Sequence, residues 1–289
     1  LTIQANHPTN ARVVELSMGA DNNLISNCVI FGNPSARGTS SSAGIYSGST
    51  NDTVNIFTNN IIENGYYGIY MYGVGSTNLE AGTVIEGNTL SGFFYYGIYL
   101  YYQKSAKVRS NTLTNHSSSS YVYGIYGYYS QEEYEVSKNR LNVTSSSGTY
   151  GIYASYCTAL SDFYPGMTVN NFVTTNGPGT AYALYLNYCN YQYVYHNSVL
   201  VNGGSTSGRA TYFYYGANNR SVNNIFVNLG GGYATYVSST PLIVSNYNCY
   251  FTSGSTLGYW GSNVTDLTAL QLASGMDLNS VSMNPSFAT

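Results

Sequence analysis

Charge is what this chain has least of. Only 7% of its 289 residues are Asp, Glu, Lys or Arg, where an ordinary soluble domain carries roughly 25%. The formal net charge is −3, and no basic stripe runs along the chain that could track a phosphate backbone. Nucleic acid is therefore not an expected partner. No apolar run approaches the roughly 18 residues of a membrane-spanning helix, so membrane insertion is not expected either. A signal peptide is missing and the chain opens on Leu1, which reads as a trimmed piece of a longer, exported precursor. Intrinsic disorder is excluded by the opposite trait. It needs high charge and few aromatics, and this chain has 34 Tyr and 10 Phe beside a single Trp.

What is abundant is Tyr, Ser, Thr, Asn and Gly, and they recur in phase. Gly-Ile-Tyr stands at Gly44-Ile45-Tyr46, Gly68-Ile69-Tyr70, Gly97-Ile98-Tyr99, Gly124-Ile125-Tyr126 and Gly151-Ile152-Tyr153. Ala183-Leu184-Tyr185 continues the series, and Tyr212-Phe213-Tyr214 does so more loosely. A second marker, Asn followed two residues later by an apolar residue, alternates with the first. Its members are Asn27/Val29, Asn60/Ile62, Asn88/Leu90, Asn111/Leu113, Asn139/Leu141, Asn171/Val173, Asn197/Val199, Asn224/Phe226 and Asn248/Tyr250. From Asn27 to Asn248 is 221 residues in eight steps, about 28 per repeat.

Internal repetition at this period means a solenoid. Each repeat holds β stretches too short to be stable alone, so coils must stack and pair in parallel about 4.8 Å apart. The expected fold is all-β: a right-handed parallel β-helix solenoid of about nine coils. One Asn at the same bend of every coil can form a ladder that satisfies backbone groups there. Segments 117–120, 145–148 and 203–208 read as surface loops. The solenoid is expected over residues 1–262, with 263–289 as a capping segment of the same domain. Within it a short helix is expected over 266–273, with Thr265 or Asp266 as N-cap and Gly275 as stop.

The two markers, together with the closing Asp277-Leu278-Asn279-Ser280 and Asn284-Pro285-Ser286-Phe287, resemble the parallel β-helix repeat modules of large secreted and cell-surface bacterial proteins. The likeness runs from about Asp21 to Phe287. It implies a secreted or cell-surface location in a bacterium, flanking domains of a larger precursor, and an adhesin-like role. The wider fold also includes pectate lyases, polygalacturonases and phage tailspikes, so fold analogy leaves activity open.

Strand alternation sorts the side chains. The marker Ile column and the column two residues on (Ser47, Met71, Leu100, Gly127, Ala154, Leu186) are mostly apolar and should face the core. The marker Tyr column has the opposite parity, shared with Tyr72, Tyr101 and Tyr128, and should face outward. Tyr67, Tyr96, Tyr123, Tyr150 and Tyr182 stand at the strand entrance. The candidate ligand-binding residues on this face are Tyr70, Tyr72, Tyr99, Tyr101, Tyr126, Tyr128 and Tyr153. Three readings of it are open. The rings stack on one another and stiffen the sheet; a polysaccharide or cell-surface glycan lies on the ring faces; or a protein covers the patch.

Residues for chemistry are sparse. Aligning Ile85, Val108 and Val136 places Glu86 beside Arg109, Lys107 beside Glu135 and Lys104 opposite Glu132, a cross-coil ion-pair reading that removes most of the acids from catalysis. No two carboxylates share a face as glycoside hydrolysis requires. The Asp-Asp and Gly-His-Gly patterns of polygalacturonases and the acidic calcium cluster of pectate lyases are missing. His7, His116 and His196 lie far apart in the repeat, and His196, just before a ladder Asn, reads as an outward turn residue. No catalytic residue, metal site or cofactor is assigned. A polysaccharide lyase or hydrolase and a tailspike-like fibre remain as alternatives to a display module. Cys157 and Cys189 each follow their marker Tyr by four residues, so they should stack on adjacent coils within reach of a disulfide.

Overall fold

The computed structural model describes residues 1–48, 51–115, 118–239 and 241–287. His116 and Ser117, named above, lie outside the described residues.

Each repeat contributes one strand to each of three sheets, of 11, 9 and 12 strands, in which neighbours come from successive coils. The central coil illustrates the path: Thr112–Thr114, a loop, Tyr121–Gln131, a turn, then Glu135–Ser137 and the bend at Asn139. Among the described residues the strands pair in parallel, apart from one antiparallel strand pair at the C-terminal end. The chain is thus an all-β parallel solenoid of about nine turns. The register keeps identical residues together: Ile69, Ile98, Ile125, Ile152 and Leu184 follow one another across the largest sheet, and all are buried. They meet Leu90, Leu113, Leu141 and Val173 from one neighbouring sheet and Ile85, Val108 and Val136 from the other. None of these strands could bury an apolar face alone, so the core exists only as a stack.

The two sequence markers turn out to be two sides of one contact. A Cβ on Gly97 would lie 2.5 Å from the Gly124 carbonyl oxygen of the next coil and 2.6 Å from Leu113 Cδ2. Gly124 meets Gly151 O and Leu141 Cδ2 in the same way, both at 2.6 Å. Glycine stands before the marker Ile because the apolar residue after the ladder Asn fills that space.

The Asn ladder forms through Asn60, Asn88, Asn111, Asn139, Asn171, Asn197, Asn224 and Asn248. From Asn88 onward each Oδ1 accepts from the backbone N–H and the side-chain Nδ2 of the rung before it, at 2.9–3.0 Å in the Asn111–Asn139 pair. Nδ2 also donates across the bend, as Asn139 does to Val108 O at 2.9 Å. The first expected rung is corrected by one residue. Val29 pairs with Ile61, so Asn27 falls opposite Asn59, and Cys28 occupies the rung, its N–H donating to Asn60 Oδ1 at 2.9 Å. The buried residue there is Ile30 rather than Val29. Asn27, like His196, sits in the left-handed region just before the rung.

The helix spans Leu267–Ser274, with Asp266 accepting from Ala269 N at the N-terminus and Gly275 left-handed at the stop. The expected boundary after residue 262 falls within the antiparallel pairing of Gly258–Trp260 with Ser262–Val264. Beyond the helix, buried Asp277 and Ser280 close the ladder: Asn248 N–H donates to Ser280 Oγ at 2.9 Å, and Asn248 Nδ2 donates to Asp277 Oδ1 at 3.2 Å. The tail then turns back along the 11-stranded sheet, placing Phe287 edge-on to Phe172 with ring centroids 5.8 Å apart.

Candidate functional site

Parity sends the marker Tyr outward, and coil spacing dictates what happens next. Parallel strands hold identical side chains about 4.8 Å apart, close to the separation at which aromatic rings stack. Ring centroids are 4.7 Å apart for Tyr46–Tyr70, 5.0 Å for Tyr70–Tyr99, 5.1 Å for Tyr99–Tyr126 and 5.1 Å for Tyr126–Tyr153, with planes within 18° of parallel. Tyr72, Tyr101 and Tyr128 stack beside them at 4.6 Å per step. The entrance rings Tyr67, Tyr96, Tyr123, Tyr150 and Tyr182 make a further column. They meet the marker rings edge to face, as Tyr96 does Tyr99 at 4.9 Å.

All seven candidate residues therefore share one surface, in contact with one another and half-buried. Burial pushes the phenols upward: Tyr150 to about 12, with the Tyr182 and Tyr153 neighbours adding to it, and Tyr99 and Tyr126 in the same direction. The expected flat-lying sugar meets an obstacle, because each inner ring face is already covered by the next ring. The surface instead presents ring edges and phenol groups.

A further column escaped the sequence reading. Tyr102, Tyr129, Tyr156 and Tyr188 each follow a marker Tyr by three residues, and Tyr215 follows Tyr212, which pairs with Tyr185 where Tyr214 was expected to; all five adopt left-handed backbone, with φ between 50° and 56°. That conformation is unusual outside Gly, Asn and Asp, yet it recurs at one corner of five coils. From Tyr129 to Tyr215 the rings stack at 5.2, 5.1 and 4.9 Å. The spacing from the marker was visible; the strand parity rule simply stops at this corner.

Beside the column lies a shallow groove of about 520 Å³ lined by Ser76, Tyr129, Gln131, Tyr156, Thr158, Tyr188 and Asn190. Ser76 belongs to the loop after strand Tyr67–Tyr72. The polar side chains are tied along the axis: Thr158 N–H donates to Gln131 Oε1 at 3.2 Å, and Asn190 Nδ2 donates to Thr158 Oγ1 at 3.0 Å.

The carboxylates are elsewhere. Lys104 and Glu132 pair at 2.7 Å as aligned. Glu86 does stand opposite Arg109 and Lys107 opposite Glu135, but the Arg109 guanidinium bonds Glu135 of the next coil instead. The register was right, and the side-chain direction decided the partner. Asp162, left without a role by the sequence, holds Arg220 at 3.1 Å. Glu80 is sealed in the core, bonded by Gln103 Nε2 at 2.8 Å. Burial raises it to about 8, with the charge of Asp52 adding to the effect against the Gln103 hydrogen bond. Asp52 is equally buried, accepting from Ser47 Oγ at 2.7 Å, so neither group can reach a substrate. Cys157 and Cys189 are both buried free thiols. They stand at one position on adjacent coils, two residues beyond the Ser155–Asn187 pair, with Asn190 N–H donating to Cys157 O.

A family model described as a right-handed β-helix region matches residues 18–163, half of the chain. No curated protein matches, and no solved structure does.

Proposed function

The chain belongs to the right-handed β-helix family, and from that premise we propose that it is a non-catalytic display module of an exported or cell-surface bacterial protein, adhesive through contact with glycans. It would act between flanking domains of a larger precursor. The observation that supports this reading best is the tyrosine surface. It is continuous over successive coils, and the carboxylates of Glu80 and Asp52 are buried in the core rather than on it. Phenol hydroxyls both donate and accept, which suits hydroxyl-rich ligands. Ring edges beside them supply apolar contact.

Two assays on one preparation test the proposal. Incubation with acidic and neutral polysaccharides, with and without calcium, should release neither reducing ends nor unsaturated products. A glycan array should give at least one hit. Turnover abolished by a single Asp or Glu substitution would replace the display reading with an enzymatic one. An array without a hit would remove the glycan-binding part and leave the tyrosines as scaffold.

A further inference from the structure

We infer that the core carboxylates Asp52 and Glu80 hold a hard divalent cation, calcium, between two coils of the solenoid. Register brings the two acids together. Val54 N–H donates to Ala81 O at 2.8 Å, which sets Asp52 beside Glu80 on successive coils, about 4.8 Å apart along the axis. Glu80 pairs in turn with Gln103, and Gln103 with Ser130. Asp52, Glu80, Gln103 and Ser130 thus form one interior column, and all four are buried.

The hydrogen bonds around Glu80 suit a carboxylate and not a carboxylic acid. Gln103 Nε2 donates to Glu80 Oε2 at 2.8 Å and to the Tyr101 carbonyl at 3.3 Å. Gln103 Oε1 accepts from Thr83 Oγ1 at 2.8 Å. A carbonyl can only accept, so the Tyr101 contact fixes which end of the amide faces Glu80. Glu80 therefore meets a donor. Its other oxygen, Oε1, is buried without a hydrogen-bond partner among the described residues, so a proton there would have nothing to donate to. Asp52 is likewise held as an acceptor, by Ala20 N–H and Ser47 Oγ, both at 2.7 Å.

Burial opposes this arrangement. Two ionised carboxylates one coil apart in a dry core lose their hydration and repel one another. Among the described residues no lysine or arginine pairs with Glu80. Burial, with the charge of Asp52 adding to it, raises the Glu80 carboxyl to about 8. A cation on Oε1 reconciles the two demands, because it replaces the missing proton without needing an acceptor.

The donor atoms name the ion. Two carboxylates carry two negative charges, which a divalent cation neutralises. Glu80 Oε1, the Asp52 carboxylate and Ser47 Oγ offer only oxygen, which selects a hard cation over zinc or copper. Calcium accepts irregular oxygen sets, whereas magnesium demands a near-ideal octahedron and keeps several waters. Both acids are closed to solvent, so the ion enters as the coils close during folding.

Refolding the chain with calcium or with a chelator, then dialysing both samples, tests this. Elemental analysis should find calcium equimolar with the first sample, and its melting temperature should exceed the second by about 5 °C or more. Magnesium should give less than half the shift. Glu80→Gln, which keeps the acceptor for Gln103, and Asp52→Asn should each abolish the calcium and the shift. Glu63→Gln, a half-buried acid on the 11-stranded sheet, should leave both unchanged. Wild-type protein that refolds with calcium yet contains none, or melts with the chelator sample, overturns the site whatever the variants do. A calcium response that survives Glu80→Gln and Asp52→Asn overturns it too, and an equal shift with magnesium overturns the choice of ion.

Discussion

The guanidinium carbon of Arg12 sits 3.5 Å from the ring centroid of Tyr46. Glu15, which pairs with Tyr46 in the strand register, holds Arg12 there through a 2.7 Å ion pair. The first ring of the marker column is therefore covered by a cation, where the next four, Tyr70 to Tyr153, stack ring on ring. Arg12→Ala should uncover that face and lower stability by roughly 0.5–1 kcal/mol, the usual range for a partly exposed cation–π contact. A thermal melt reads it. A melt indistinguishable from wild type would show that the contact adds nothing beyond placing the charge.

Removing one central rung should be far more damaging. Asn139→Ala deletes the acceptor for both Asn111 donors and the donors to Val108 O and Asn171 Oδ1, all inside the core. Stranded buried polar groups cost about 1–3 kcal/mol each, and part of that is recovered by relaxation, so a loss of about 2–4 kcal/mol is expected. The comparison is Asn142→Ala, an exposed position whose side chain accepts from Asn176 Nδ2, which should change stability by no more than about 0.5 kcal/mol. Urea unfolding of both variants checks the ordering, and equal losses would contradict the ladder as a source of stability.

Glu80 gives the stability a pH dependence of predictable sign. Its carboxyl titrates near 8 when folded and at 4.5 by reference, so the folded chain holds this proton more tightly than the unfolded one. Below 4.5 both states are protonated and its contribution is whole. Between 4.5 and about 8 the unfolded chain releases the proton first and stability falls, by on the order of 2–4 kcal/mol in total. Above 8 this group causes no further change. Glu80→Gln keeps an acceptor for Gln103 and should flatten the profile across that window. Melting temperatures measured from pH 5 to 8.5 on both proteins decide it.

Cys157 and Cys189 are wholly buried, while Cys28 and Cys249 are only partly so. A chromogenic disulfide reagent, which reacts with thiolate by exchange, should therefore modify no more than two thiols per native chain and all four after denaturation. Burial raises Cys189 well above an ordinary thiol, with Cys157 adjoining it, and that slows its reaction further. Four rapid equivalents in the native protein would mean that this corner of the solenoid opens readily.

The sequence reading and the structure agree where the signal is a column. From Gly44 to Tyr185 the marker Ile, the marker Tyr and the interior ladder Asn were each placed by repetition in phase, since a one-residue register error would have turned a whole column to the wrong face; the looser triplet Tyr212-Phe213-Tyr214 was read two residues late, because Tyr185 pairs with Tyr212. The cap helix was legible from its own ends, Asp266 and Gly275. Failures have local causes. Cys28 fills the first rung without the amide that marks the others, so the neighbouring Asn27 took its place. Arg109 has Glu86 directly opposite on one coil, whereas Glu135 on the other stands two residues off, opposite Lys107, and side-chain direction selects the diagonal partner. The groove was invisible because Ser76 reaches it from a loop that bears no fixed spacing to Tyr129, Tyr156 or Tyr188.

Light absorbed by the tyrosine column has somewhere to go. The column runs on, through edge-to-face contacts at Tyr153–Tyr185 and Tyr212–Tyr236, to Tyr236 and Tyr259, 4.3 Å apart and nearly parallel, and the next residue is Trp260, the single Trp among 34 Tyr. Excitation entering any phenol can pass from ring to ring and leave from the indole, which emits at longer wavelength. The folded protein should thus fluoresce as a tryptophan protein despite its composition, and phenol emission should emerge only when the coils come apart. One indole at the cap would then report the continuity of the solenoid along its length.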